Sequence, residues 1–193
     1  MNKLTPEDLH GLEAYAKLRP EFRARVMEHK QHRRLLLGRH INLIFEDRLT
    51  MQYQIQEMLR AEKIFEERGI LDELNAYNPL IPDGSNWKAT MMIEYDDEEE
   101  RRQALQRLVG IEDQIWMQIG DSDPVRAIAD EDMERSTESK TSSVHFLRFE
   151  LPSEMVVALK NGASVRAGVS NAYYSHTAEV SEAMRESLIA DLD

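Results

Sequence analysis

Residues 41–69, INLIFEDRLTMQYQIQEMLRAEKIFEERG, change periodicity without a pause. Ile41-Asn-Leu-Ile-Phe45 is a short apolar run with β-branched and aromatic content, the mark of a strand. From Asp47 the apolar residues recur at helical spacing, so residues 47–68 predict one long helix with Gly69 as its C-terminal cap. Advancing about 100° per residue, Met51, Ile55, Met58, Leu59 and Phe65 share one face, and Glu62 falls near its middle. Glu46, Tyr53, Glu57, Arg60 and Ile64 line the opposite side. A Glu within an apolar stripe must be neutral, paired, metal-bound or at the edge of the core. For Glu62 the expectation is a paired structural acid. The Tyr53–Glu57–Arg60 stripe is the better wall for a site, facing the second part of the chain.

The rest of the chain sorts around that stretch. Thr5-Pro6-Glu7-Asp8 starts a helix to about residue 17, and Arg19-Pro20 is expected to interrupt it before a second helix over 20–32. His29 and His32 have a metal-compatible spacing but sit among Lys30, Arg33 and Arg34, so they read as surface histidines. Two apolar runs within 34–45 predict a β-hairpin. The Pro/Gly/Asn loop at 78–87 is the best break in the chain. It divides a helix-rich part, 1–77, from an α+β part, 88–193; if the 34–45 hairpin joins the later strands, the two form a single domain. Strands are expected at 88–95, 114–119, 125–129, 144–150, 164–169 and 172–180, with helices at 96–109, 151–160 and 181–192. The polar tract 130–143, DEDMERSTESKTSS, is read as either a functional or a mobile loop. The fold class is α+β, with N-terminal helices and one long central helix packed on a mostly antiparallel sheet.

Composition removes several chemistries. None of the 193 residues is cysteine, which excludes disulfides, thiol catalysis and cysteine-ligated zinc or iron–sulfur centres. No apolar run reaches membrane-spanning length and no secretory signal opens the sequence, so a cytoplasmic location is expected. The net charge is −12 but uneven. Residues 1–39 carry nine Lys and Arg against five Asp and Glu; the remainder carries 15 against 31. An acidic majority argues against nucleic acid as a partner, and the basic segment is expected to dock on the acidic remainder of its own chain. Walker A, GxGxxG, GxSxG and HExxH motifs are all missing.

The segments RPEFRARVMEHKQHRRLLLG, IFEDRLTMQYQIQEMLRAEKIFE, LNAYNPLIPDGSNWKATMMIEY and VHFLRFEL resemble an uncharacterised bacterial family, a domain of unknown function, along almost the whole chain. The resemblance supplies no catalytic residues. What it implies is context: genes of that family often lie beside those for rubrerythrin and a cysteine-rich iron–sulfur oxidoreductase. Three function classes follow. The leading expectation is a non-catalytic cytoplasmic accessory protein that binds such a redox partner, needing no cofactor. The second is a carboxylate–histidine enzyme or sensor for iron or manganese, drawing ligands from Glu46, Glu57, Glu62 and His145. The third is a pocket for a small anionic ligand, built from Tyr53, Glu57, Arg60, Trp87, His145 and Arg148.

Overall fold

The structure, a computed structural model, describes residues 2–193. It is an α+β fold: among the described residues, six α-helices flank two antiparallel sheets. The first sheet contains β1 (Arg34–Leu37), β2 (Ile41–Glu46), β3 (Asn86–Ile93), β7 (Val144–Glu150) and β6 (Ile128–Ala129), in that spatial order. The second runs β5 (Val125–Arg126), β4 (Ile115–Ile119), β8 (Val165–Ser170), β9 (Ser175–Glu179). The hairpin of β1 and β2 is continuous with the later strands, because β2 pairs with β3 from Ile41 opposite Ile93 to Glu46 opposite Lys88.

Alternation decides what each strand buries. Trp87, Ala89, Met91 and Ile93 of β3 point inward beside Leu43 and Phe45 of β2 and Leu147 and Phe149 of β7. They meet Ile115, Met117, Val165, Ala167 and Val169 from the second sheet in one core. Each fully buried large apolar side chain there contributes roughly 1.5–3 kcal/mol. The run VHFLRFE of β7 is ambiguous in sequence because Phe146, Leu147 and Phe149 do not alternate. The face suggested by Val144 and Phe146 is the outer one; His145, Leu147 and Phe149 are the buried set.

The helices form a smaller second core of Leu4, Met51, Ile55, Leu59, Leu74 and Ile81. Three sequence expectations change here. Helix α1 (Leu12–Gln31) runs straight through Pro20. Proline inside a helix forfeits a backbone hydrogen bond and costs about 3 kcal/mol. Packing offsets that loss: Tyr15 and Val26 are fully buried, and the Tyr15, Phe22 and Tyr53 rings contact one another in series. The long helix is two helices, α2 (Arg48–Glu62) and α3 (Glu67–Tyr77), divided at Lys63 in the left-handed conformation (φ 57°). Gly69 is thus no cap. It lies in the first turn of α3, where a β-carbon would stand 2.6 Å from the Ile64 side chain. Finally, residues 125–129 are not one strand. They cross between the sheets at buried Ala127, so β5 pairs with β4 and β6 with β7.

Three further helices complete the fold: α4 (Glu98–Arg107), α5 (Ser153–Lys160) and α6 (Glu182–Ile189). Among the described residues no helix is long and apolar enough to cross a membrane.

Candidate acid–histidine site

The crossover from β5 to β6 delivers an acid to the mouth of the core. Asp130 follows β6 directly and takes a left-handed conformation, φ 50°, which Asp tolerates better than most residues. Its Oδ1 accepts the Phe146 amide at 3.0 Å, fixing the carboxylate over the start of β7. There His145 occupies a core-facing strand position and is fully buried. Its Nδ1 lies 2.6 Å from Asp130 Oδ2, and its Nε2 lies 2.8 Å from Thr141 Oγ1 and 3.1 Å from the Ser142 carbonyl. A second acid, Glu112, comes from the 3-10 turn Ile111–Gln114 after α4 and is 6 % exposed. Its Oε2 stands 3.8 Å from His145 Nε2 and accepts the Thr141 hydroxyl at 3.1 Å, while its Oε1 accepts the Ser136 hydroxyl.

Glu112, Asp130 and His145 can each offer one ligand atom, and the three atoms lie within 4.8 Å of one another. The loop 130–143 packs over the cluster with Thr141 buried, and a cleft of about 440 Å³ opens beside it. Five acids line that cleft, Glu112, Asp113, Asp130, Glu134 and Glu138, against one cation, Arg135. The field is therefore negative. Burial, then the Glu112 and Asp130 charges, hold the Asp113 carboxyl above its ordinary value. Arg135 neutralises little of this. Its guanidinium reaches Asp130 at 3.3 Å but engages Asp132 at 2.5 and 2.7 Å and stacks on Phe146.

Carboxylate, imidazole and hydroxyl in series have the order of a nucleophilic relay. Here the hydroxyl is unusable for that purpose: Thr141 is 2 % exposed and committed to Glu112, so no electrophile can approach it. What the cluster offers is two carboxylates and one imidazole converging from three elements.

The residues singled out from sequence are dispersed. Glu57 accepts from the Tyr15 hydroxyl at 2.8 Å and from Arg19 at 2.8 and 2.7 Å. The Arg19 hydrogen bond, reinforced by Tyr15, pulls its carboxyl down to about 2 against the effect of burial. Tyr53 packs on Phe22, so this stripe turns toward α1 and away from the second part, with Arg60 left in solvent. Glu62 is exposed at the end of α2 and Phe65 is 74 % exposed, because the helix ends before either reaches the core. Glu46 is buried, with Oε1 accepting the Thr90 hydroxyl at 2.7 Å and Oε2 unpartnered. Trp87 is core, its Nε1 donating to the Leu188 carbonyl at 2.9 Å. Arg148 pairs with Glu131 at 2.8 Å and with Glu150 on the outer face of β7. Of the named candidates, only His145 belongs to the converging set. Glu112, Asp130, Thr141 and Ser136 were not anticipated; among 36 acids, nothing local marks the two that meet a histidine.

Two antiparallel sheets sharing one core beside a helical layer make this an α+β protein. The chain belongs to the family described as protein of unknown function (DUF3501), which matches residues 3–192. A crystal structure of a novel protein of unknown function from Burkholderia pseudomallei K96243 is 52 % identical to it, with 100 % of each chain covered and a TM-score of 0.95. No curated protein matches the chain.

Proposed function

We propose that this protein binds a divalent metal ion of the iron–manganese class between Glu112, Asp130 and His145, as a metal-carrying accessory protein. The observation that carries the reading is the convergence of their three ligand atoms within 4.8 Å, in a nearly buried position. Carboxylate and imidazole donors together suit these borderline metals, whereas thiolate-preferring ones would find no ligand in a chain without cysteine. Ser136 and Thr141 hold the Glu112 carboxylate in place, the outer support that metal sites depend on. The surplus of acids along the cleft favours entry of a cation. Arg135 yields Asp130 readily, since Asp132 is its principal partner.

The test is isothermal titration of Mn²⁺ into chelator-treated, dialysed protein. One site per chain is expected in the wild type, with a large loss of affinity in Glu112→Gln and His145→Ala and none in Glu57→Gln. Equal binding by all four proteins would place the ion elsewhere and remove the proposal.

A further inference from the structure

A second cleft, about 420 Å³, shares Arg135 with the first and lies between the end of α3 with the loop after it and the outer face of β7. Its walls are mostly apolar: Ala76, Tyr77, Pro79, Leu80 and Phe146. Lys88, Arg135 and Arg148 bring three cations to it, against two acids, Glu131 and Asp132. In a chain of net charge −12 that balance is unusual.

The three cations differ in what they already hold. Arg148 is bidentate to Glu131 and also bonds Glu150, and Arg135 is bidentate to Asp132. Lys88 Nζ donates to the Pro79 carbonyl at 2.5 Å, and among the described residues it forms no ion pair. An ammonium has three donors, so two remain for a ligand. On the other side of the same loop Lys3 Nζ donates to the Ile81 carbonyl at 2.8 Å. Burial, then the Lys88 charge, lowers the affinity of Lys3 for its proton. Two ammonium groups thus face one loop, and carbonyl oxygens are their hydrogen-bond partners there.

We propose that this cleft binds a small organic carboxylate with an apolar body, its charge held by Lys88 and its body against Tyr77, Leu80 and Phe146. The apolar walls select against a bare phosphate, which gains nothing from them and wants several donors at once. A flat or branched hydrocarbon body gains from burial there, at roughly 25 cal/mol per Å² of apolar surface covered. This site does not depend on the metal reading.

Benzoate is the probe. Calorimetric titration of the full chain should show one benzoate per chain, with inorganic phosphate unable to compete. Lys88→Met keeps the aliphatic stem and removes the charge; it should weaken benzoate by about tenfold or more, as loss of one charge-assisted contact predicts. Arg60→Gln, at an exposed position outside the cleft's lining, should bind as the wild type does. Methyl resonances of Ala76 and Leu80 in the unaltered protein give a readout that does not depend on any variant folding. Their shift on adding benzoate supports the assignment. No calorimetric binding by the wild type, equal affinity in Lys88→Met, or shifts confined to other methyl groups would each overturn it.

Discussion

Two buried charge clusters, built from similar residues, behave in opposite ways. In the first, Arg33 lies 1 % exposed between α1 and β1. Its Nε donates to the Phe45 carbonyl, one terminal nitrogen to the Ser187 carbonyl and hydroxyl, and the other to the Glu46 carbonyl and Asp191. All five guanidinium donors are used. Asp47, 3.5 Å away, caps α2 and takes His29 Nε2 at 2.5 Å. Anions there have a resident cation, and the result is a staple joining the end of α1, β2 and the C-terminal residues. In the second cluster Glu112 and Asp130 face one imidazole, and the nearest guanidinium, Arg135, is shared between Asp130 and its closer partner Asp132. A saturated cluster holds the fold together; one with surplus negative charge is prepared to take a cation from outside.

The difference sets the sizes of the expected effects. Arg33→Met should be the most damaging single change, because it strands Asp191 and Asp47 without their counter-charge. A loss of about 3–5 kcal/mol in urea unfolding is expected. A loss below 1 kcal/mol would show that the staple is not what the geometry suggests. Glu112→Gln in metal-free protein removes one of two adjacent like charges, and its unfolding free energy should stay within about 1 kcal/mol of wild type. The second effect is Mn²⁺ stabilisation, about 2.7 kcal/mol at a hundredfold excess over the dissociation constant. It should appear in thermal melts of the wild type and vanish in Glu112→Gln.

Acid and base limbs separate the two kinds of carboxyl further. Burial, only partly countered by Arg33, raises the Asp191 carboxyl from 3.8 to about 6. Between those values the folded protein holds a proton that the unfolded chain has released, so this group's contribution to stability falls as pH rises from about 4 to 6. Glu57 behaves in the reverse sense: lowered from 4.5 to about 2, it stabilises above its unfolded value and that contribution is lost as pH falls toward 2. Asp191→Asn should flatten the first slope and Glu57→Gln the second in urea midpoints measured from pH 2 to 7. The smallest effect belongs to Glu46→Gln. Gln keeps an acceptor for the Thr90 hydroxyl and puts an equally unpartnered polar atom in place of Oε2, so stability should stay within about 1 kcal/mol of wild type.

Sequence carried the element types well, because period-2 runs such as NWKATMMI and the polar-capped helices state their own geometry. The failures are places where tertiary contacts overrule a local rule. Pro20 stays helical because Tyr15 and Phe22 have partners on α2, Glu57 and Tyr53, and Val26 is buried. The long helix breaks at Lys63, which is a poor left-handed residue, and Gly69 is spent on contact with Ile64. The basic N-terminal segment does dock inward in part, through Arg19 on Glu57 and Arg33 on Asp47 and Asp191, while Arg23 and Arg25 stay exposed. The candidate site was legible only as His145. Its partners come from a 3-10 turn 33 residues earlier and a left-handed Asp 15 residues earlier. Those separations become contacts only once β6 pairs with β7 and the polar loop folds over both.

Anomalous diffraction from crystals grown with Mn²⁺, collected at the manganese edge, tests the central claim most directly. The account predicts one strong peak per chain within bonding distance of Glu112, Asp130 and His145, with Arg135 displaced from Asp130 onto Asp132. A peak confined to surface acids, or no peak with the Asp130–His145 hydrogen bond intact, would contradict it.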